Sequence, residues 1–259
     1  MNTGRKNIEN ADFLKVFWRA LLLQASWSFE RMQTLGFAFA IEPALRKLYP
    51  DQNEYEERLK VHLEYFNTQP YCASFILGAV MRLEEDRATG ANAAADVSGL
   101  KTALMAPLGA MGDSFFWGAL RPLTALIATA FLLMGLWWAP LLFLVLFNIW
   151  HVGLRVGMLY WGYQSGGDAA LLLARYSLTR WAKRFKIMSL TVLGGMLGML
   201  PFWRSEFRFD IPAPGVVTAT AGLALTFALV VVLRRGGSPI KLMFGLALMC
   251  LALAYAGVV

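Results

Sequence analysis

The sequence predicts an all-α integral membrane protein, with N-terminal amphipathic, interfacial helices, discontinuous membrane-embedded helices in the middle and C-terminal transmembrane helices. Three observations predict it. Apolar residues make up 58% of the chain and charged residues only 16%, too little polar material to solvate a soluble protein of this size. Acidic residues are concentrated early, and from Pro122 onward only Asp168, Glu206 and Asp210 occur. Uncharged runs alternate with basic clusters, the pattern that the positive-inside rule associates with multi-pass membrane proteins. These shifts divide the chain into residues 1–99 (cytoplasmic and interfacial helices with a short half-helix), 100–174 (a broken helix and a long apolar segment) and 175–259 (transmembrane helices).

The net charge of +7 does not indicate a nucleic-acid binder, because Lys and Arg are scattered or sit at the ends of apolar runs rather than in a tract with interleaved aromatics. No signal peptide is read in the first forty or so residues, which lack an uninterrupted apolar core and a small-residue cleavage site, so the N-terminus is expected in the cytoplasm. Cys72 and Cys250 lie far apart in apolar settings and form neither a disulfide framework nor a paired metal motif.

Asn10 to Leu48 reads as one long amphipathic helix, with Phe13, Leu14, Phe17, Leu21, Ala25, Phe29, Met32 and Gly36 at three-to-four-residue spacing. Lys15, Arg19, Arg31, Arg46 and Lys47 recur too often for a bilayer crossing and place it on the cytoplasmic face or against a partner. Pro43 is expected to kink or restart it. A strongly charged helix follows through Glu54 to Glu64 and ends at Asn67-Thr68-Gln69-Pro70. Tyr71 to Val80 is an apolar run of about ten residues, half the length that crosses a bilayer, and Arg82 to Arg87 is expected to return the chain to water.

Ala88 to Ser98 is small and polar, the composition of an exposed loop. Leu100 to Trp117 carries Pro107, Gly109, Gly112 and Asp113 within an apolar stretch and is expected to be a broken helix at membrane depth, tolerable only where protein covers it. Pro122 to Trp150 has no charge and exceeds the roughly 20 residues needed to span; with Pro140 inside it, the stretch is either one kinked span or two tilted pieces. Ile187 to Trp203, Val216 to Leu233 and Leu242 to Val259 complete the apolar runs. The basic clusters before Ile187 and around Arg234, Arg235 and Lys241 are expected inside, the Arg204 to Pro214 loop and the C-terminus outside.

Three blocks carry a family resemblance: Trp27-Ser28-Phe29-Glu30-Arg31-Met32-Gln33-Thr34-Leu35-Gly36-Phe37; His62-Leu63-Glu64-Tyr65-Phe66-Asn67-Thr68-Gln69-Pro70 followed by Ile76-Leu77-Gly78; and Ala106-Pro107-Leu108-Gly109-Ala110-Met111-Gly112-Asp113-Ser114-Phe115-Phe116-Trp117-Gly118 running on to Arg121-Pro122. In this order and at these separations they resemble the IID component of the mannose/fructose/sorbose branch of the bacterial phosphoenolpyruvate-dependent sugar phosphotransferase system. Gly162-Tyr163-Gln164-Ser165-Gly166 is similar to that family's glycine-rich turn. Ser28 and Ser114 stand where the family more often has Asn and Pro.

The resemblance implies a subunit of the bacterial inner membrane that pairs with a IIC subunit, in a higher IIC–IID oligomer within the lipid bilayer. Together they form the path of a hexose-type sugar. Soluble IIA and IIB relay phosphate to that sugar through a phosphohistidine on IIB, and IID carries no phosphorylated residue and needs no cofactor. The alternative is an assembly subunit, with every sugar contact made by IIC. The residues themselves offer no catalytic machinery: His62 lies in a charged helix and His151 at the end of an apolar span, neither beside a phosphate cradle, and no metal motif occurs.

A sugar site needs polar groups against hydroxyl pairs and an apolar or aromatic platform for the ring. Asn67 and Gln69 supply two amides at a helix end; the competing reading is a cap and turn. Trp27, Glu30 and Gln33, at three-residue spacing, share one face of the expected helix, with Trp27 either a sugar platform or an interfacial anchor and Glu30 either a substrate contact or the partner of a basic residue. Asp113 is an acid in a glycine-rich apolar segment, either paired with Arg121 or a partner subunit, or placed on the substrate path.

Overall fold

The computed structural model describes residues 7–91, 96–175, 178–203 and 215–255. It is helical, with no named strand among the described residues and only two isolated β-bridges. The chain divides into two compact units at Gly194–Gly195.

In the first unit α1 (Asn10–Ala20) and α2 (Thr34–Leu48) are separate helices. The single helix expected from Asn10 to Leu48 does not form. Residues 21–33 run as turns, with Met32 at a φ of +52° and Ser28 and Met32 exchanging backbone hydrogen bonds. Of the residues whose spacing predicted that helix, Leu14, Leu21, Ala25 and Phe29 are exposed, and Gly36 is buried. Gly36 sits where an added Cβ would come within 1.9 Å of the Leu23 carbonyl oxygen, so the chain doubles back over its own first turn of α2. Pro43 lies inside α2 without interrupting it. Ion pairs from Arg19 to Glu42 and from Lys47 to Asp12 (2.7 Å) link α1 to α2 above a core containing Val16, Leu23, Phe37, Ile41 and Leu45.

Helix α3 (Gln52–His62) is started by Asp51, whose carboxylate accepts the Asn53 and Glu54 amides. Helix α4 (Ala73–Ala88) is longer than the expected half-helix and keeps two glutamates buried near its end: Glu84 is 0% exposed and Glu85 7%. The expectation that Arg82 to Arg87 returns to water holds for Arg82, which is exposed, and fails for Glu84 and Glu85, which are bound by partners distant in sequence. Tyr163 and the Ile8 amide bond Glu85, and Glu84 is held by α3.

Leu100 to Trp117 is not broken. Helix α5 (Val97–Gly112) passes Pro107 and runs through a π-helical segment, Asp113–Leu120, into α6 (Arg121–Leu133). The wider π-helical turns keep the backbone hydrogen-bonded while shifting the side-chain register, so the need for neighbours to satisfy a broken backbone disappears. After Gly135, at a φ of +83°, α7 (Ala139–Ser165) begins with Pro140 in its first turn, so the Pro122 to Trp150 run is two pieces. Val97–Leu133 and Ala139–Leu173 are each long and apolar enough to cross a membrane.

Helices α4 and α7 meet backbone to backbone. A Cβ on Gly78 would lie 2.0 Å from the Leu159 carbonyl oxygen, and one on Gly162 would lie 2.0 Å from that of Phe75. Only glycine permits this approach. Gly166, at a φ of +48°, ends α7 and leads through a short 3-10 turn into α8 (Ala169–Arg175). Helix α9 (Leu178–Trp203) crosses the unit boundary. The second unit contains α10 (Gly215–Arg234) and α11 (Pro239–Tyr255), joined by a turn in which Gly236 has a φ of +87°. Arg204 to Pro214 lies outside the described residues.

Candidate functional site

The turn between α3 and α4 is built by side chains that imitate a strand. The buried Gln33 amide donates from Nε2 to the Thr68 carbonyl (2.8 Å) and accepts the Thr68 amide on Oε1 (3.1 Å). Its own backbone amide bonds the Phe66 carbonyl at 2.9 Å, and the Thr34 hydroxyl accepts the Phe66 amide at 3.1 Å. From the other side, the Thr68 hydroxyl donates to the Met105 carbonyl on α5 (2.9 Å). Residues 66–69 are thereby fixed between the start of α2 and the middle of α5.

Gln69, 2% exposed, closes the turn and opens the next helix. Its Oε1 accepts the Tyr71 and Cys72 amides at 2.8 and 3.0 Å, while its Nε2 has no partner. Helix α5 presses close here, since a Cβ on Gly112 would lie 2.7 Å from both the Gln69 Cβ and the Cys72 sulfur. That contact accounts for glycine one residue before Asp113.

A cavity of about 620 Å³ opens where this turn faces α5 and the first π-helical turn. Four of the residues singled out from the sequence, Gln33, Asn67, Gln69 and Asp113, line it together. Asp113 forms no ion pair among the described residues, and the guanidinium of Arg121 lies 5.2 Å from the Trp117 ring instead of pairing with it. Trp27 and Glu30 are outside this wall: both are exposed on the turns before α2, and with no helix there the shared face expected of Trp27, Glu30 and Gln33 does not exist. Trp27 packs its ring edge-on to Phe29 at 4.9 Å.

Gln24, Tyr65, Thr102 and Trp117 also line the cavity and were not singled out. Trp117, four residues after Asp113, was quoted only within a motif; Gln24 and Thr102 stand in segments read for their apolar pattern, which does not single out a polar residue. The wall thus offers amide donors and acceptors, one carboxylate and two aromatic rings. That set suits a small polyhydroxylated ligand, with hydroxyls on the amides and acid and C–H faces against a ring. It contains no activated nucleophile.

The two histidines are placed away from any phosphoryl chemistry. His62 is fully buried, with Nε2 3.0 Å from Glu84, and burial lowers its pKa, so the ring is neutral and donates to the carboxylate. The His151 ring lies tilted 4.1 Å from that of Tyr71, with its Nδ1 3.2 Å from the Asn148 Oδ1. Among the described residues no group of acids, histidines and cysteines is arranged to hold a metal ion.

Residues 7–259 match the family described as "PTS system mannose/fructose/sorbose family IID component". The chain is 35% identical to the PTS system mannose-specific EIID component of Escherichia coli (strain K12), over 94% of this chain and 92% of that protein. It is 34% identical to the sorbose-specific EIID component of Klebsiella pneumoniae, over 84% of this chain and 77% of that protein. In three dimensions it is similar to a chain of the mannose transporter ManYZ in complex with microcin E492, with a TM-score of 0.59, 32% identity and coverage of 97% and 98%. Phosphoryl transfer in such systems is done by other subunits, and the chain belongs to the mannose/fructose/sorbose family of IID components, membrane subunits of a phosphotransferase-system sugar transporter.

Proposed function

We propose that this chain pairs with a IIC subunit in the bacterial inner membrane to form the path of a hexose-type sugar, and that the cavity between the Asn67–Pro70 turn and α5 holds that sugar. The observation that carries the reading is the Gln69 Nε2, buried and without a partner, at a cavity that it shares with Asn67 and Asp113. A buried amide without a hydrogen bond is costly, and a ligand hydroxyl relieves the cost. IIA and IIB supply the phosphoryl group in this scheme, and the complex assembles as a higher IIC–IID oligomer. Trp27 and Glu30, outside the cavity, are proposed to face the sugar only once the IIC subunit covers the turns before α2.

Asn67→Ala tests the site, because the Asn67 side chain is exposed and forms no hydrogen bond within the described chain. Sugar affinity, measured on the purified IIC–IID complex, is expected to fall about five- to 150-fold, the equivalent of about 1–3 kcal/mol for one hydrogen bond in a desolvated site, with complex yield unchanged. Unchanged affinity would assign the sugar contacts to IIC and leave this chain an assembly subunit. The orientation proposed, N-terminus inside and C-terminus outside, rests on the basic turn at Arg234 and Arg235 between α10 and α11. A reporter inserted after Gly236 is expected to read cytoplasmic and one fused after Val259 external; a cytoplasmic reading at Val259 overturns it.

A further inference from the structure

Arg155 occupies a position that burial alone makes expensive. It lies on α7, inside one of the two helices long enough to cross a membrane, and is 3% exposed. No carboxylate lies within ion-pairing distance of it among the described residues, and its Nε has no partner. A charge removed from water without a counter-charge persists only where its hydrogen bonds and ring contacts hold something in place. What it touches is the turn before α4. Nη2 donates to the Pro70 carbonyl at 2.8 Å, and the guanidinium carbon stands 5.4 Å from the centre of the Tyr71 ring. Tyr71 in turn packs edge-on against Phe116 (4.7 Å) and tilts against Trp117 (5.8 Å) on the π-helical segment.

One side chain from α7 therefore grips both sides of the cavity: the turn bearing Asn67 and Gln69 directly, and the Trp117 wall through Tyr71. The grip has a rigid base, because α7 is locked to α4 one turn further on by the Gly78–Leu159 contact. From these contacts we infer that Arg155 is a positioning residue for the sugar site, fixing the Asn67–Pro70 turn against the π-helical wall without touching the sugar. A planar guanidinium suits both tasks, since it donates in its plane while its face lies against an aromatic ring; a point-like ammonium can make either contact but has no plane with which to combine them in this way. The inference rests on the sugar site proposed above.

The test uses the IIC–IID complex, with sugar affinity and complex yield read on the same preparations of Asn67→Ala, Arg155→Gln, Arg155→Lys, the Asn67→Ala/Arg155→Gln pair and the Asn67→Ala/Arg155→Lys pair. Arg155→Gln is expected to weaken affinity about tenfold and Arg155→Lys about threefold, sizes typical of one lost or weakened polar contact. Each double variant is expected to be no weaker than the more affected single one, because both changes act on one turn. An Arg155→Gln complex with parental affinity, or losses that multiply in a pair, overturns the positioning role. If Arg155→Gln does not assemble, Arg155→Lys decides: a loss that disappears in the Asn67→Ala background supports the role, and parental affinity removes it. Should Asn67→Ala itself leave affinity unchanged, the sugar site fails, and with it the function given to Arg155; a loss in Asn67→Ala with none at Arg155 defeats the positioning role alone.

Discussion

The two ends of α4 bury polar side chains in opposite ways. Near the C-terminal end Glu84, with no exposed surface, accepts Arg58 Nη2 (2.6 Å) and His62 Nε2 (3.0 Å) on Oε1, and Arg58 Nε (3.0 Å) and the Tyr49 hydroxyl (2.8 Å) on Oε2. Of that group only the His62 Nδ1 lacks a partner. Just before the N-terminal end Gln69 is as deeply buried, yet half of its amide is unpaired beside a cavity with an unpaired acid, Asp113. An acid stands at both ends, so the presence of one does not distinguish scaffold from site. Position relative to the cavity does: the unpaired Gln69 Nε2 belongs to a residue that lines it, whereas the unpaired His62 Nδ1 belongs to a packed network whose acid is bonded on both oxygens.

The comparison is broken most forcefully at Glu84. Glu84→Ala leaves the Arg58 guanidinium and the buried His62 without their acceptor, and removing one member of a buried pair costs about 3–5 kcal/mol. The expected result is loss of assembled complex or, where complex survives, a lower melting temperature with unchanged sugar affinity in the folded fraction. A variant that assembles normally but binds sugar poorly would make the Glu84 network part of the site. Acid provides the same test without mutation. Burial raises the Glu84 pKa, but hydrogen bonds from His62 and Arg58 outweigh it and hold the carboxyl at about 2 against an ordinary 4.5. A depressed carboxylate stabilises the fold above its unfolded pKa and ceases to do so as pH falls through the folded value. Stability is therefore expected to drop between pH 4.5 and about 2, by about 3 kcal/mol at about 1.36 kcal/mol per pH unit. That drop should be missing in any Glu84 variant that still folds.

Much of this arrangement was legible in the sequence where the signal is local. Pro70 marked the approach to α4 and Pro140 the first turn of α7, because proline tolerates few other positions in a helix. Asn67, Gln69 and Asp113 stood out as polar groups in apolar or helix-ending settings, and they share one cavity. What was not legible depends on partners distant along the chain. The spacing of Trp27, Glu30 and Gln33 is as good for a helix as for a turn, and Gln33 bonding Thr68, 35 residues away, fixes the turn. Glu84 and Glu85 look solvated until residues 26 and 78 positions away are brought to them. The π-helical segment has no composition of its own; it appears where α5 must hold Gly112 against Gln69 and Cys72.

The smallest expected effect is the most discriminating, because Gln69 belongs to both conditions at once. Its Oε1 does scaffold work, holding the Tyr71 and Cys72 amides in the turn that enters α4, and its Nε2 is buried and unpaired in a residue that lines the cavity. Gln69→Ala should therefore register twice: loss of the Oε1 hydrogen bonds costs about 1 kcal/mol, about 2–4 °C in melting temperature for a chain of this size, and loss of the free amide weakens sugar binding. Asn67→Ala has no such bonds to lose and should change affinity without moving the melting temperature. Both quantities are to be measured on the same IIC–IID preparations. If Gln69→Ala lowers the melting temperature and leaves affinity untouched, the unpaired Nε2 is not a ligand contact, and the turn is scaffold along its whole length. If instead affinity falls with no thermal change, the Oε1 bonds are energetically idle and Gln69 belongs wholly to the site. Only the double response matches a side chain whose two ends do different things.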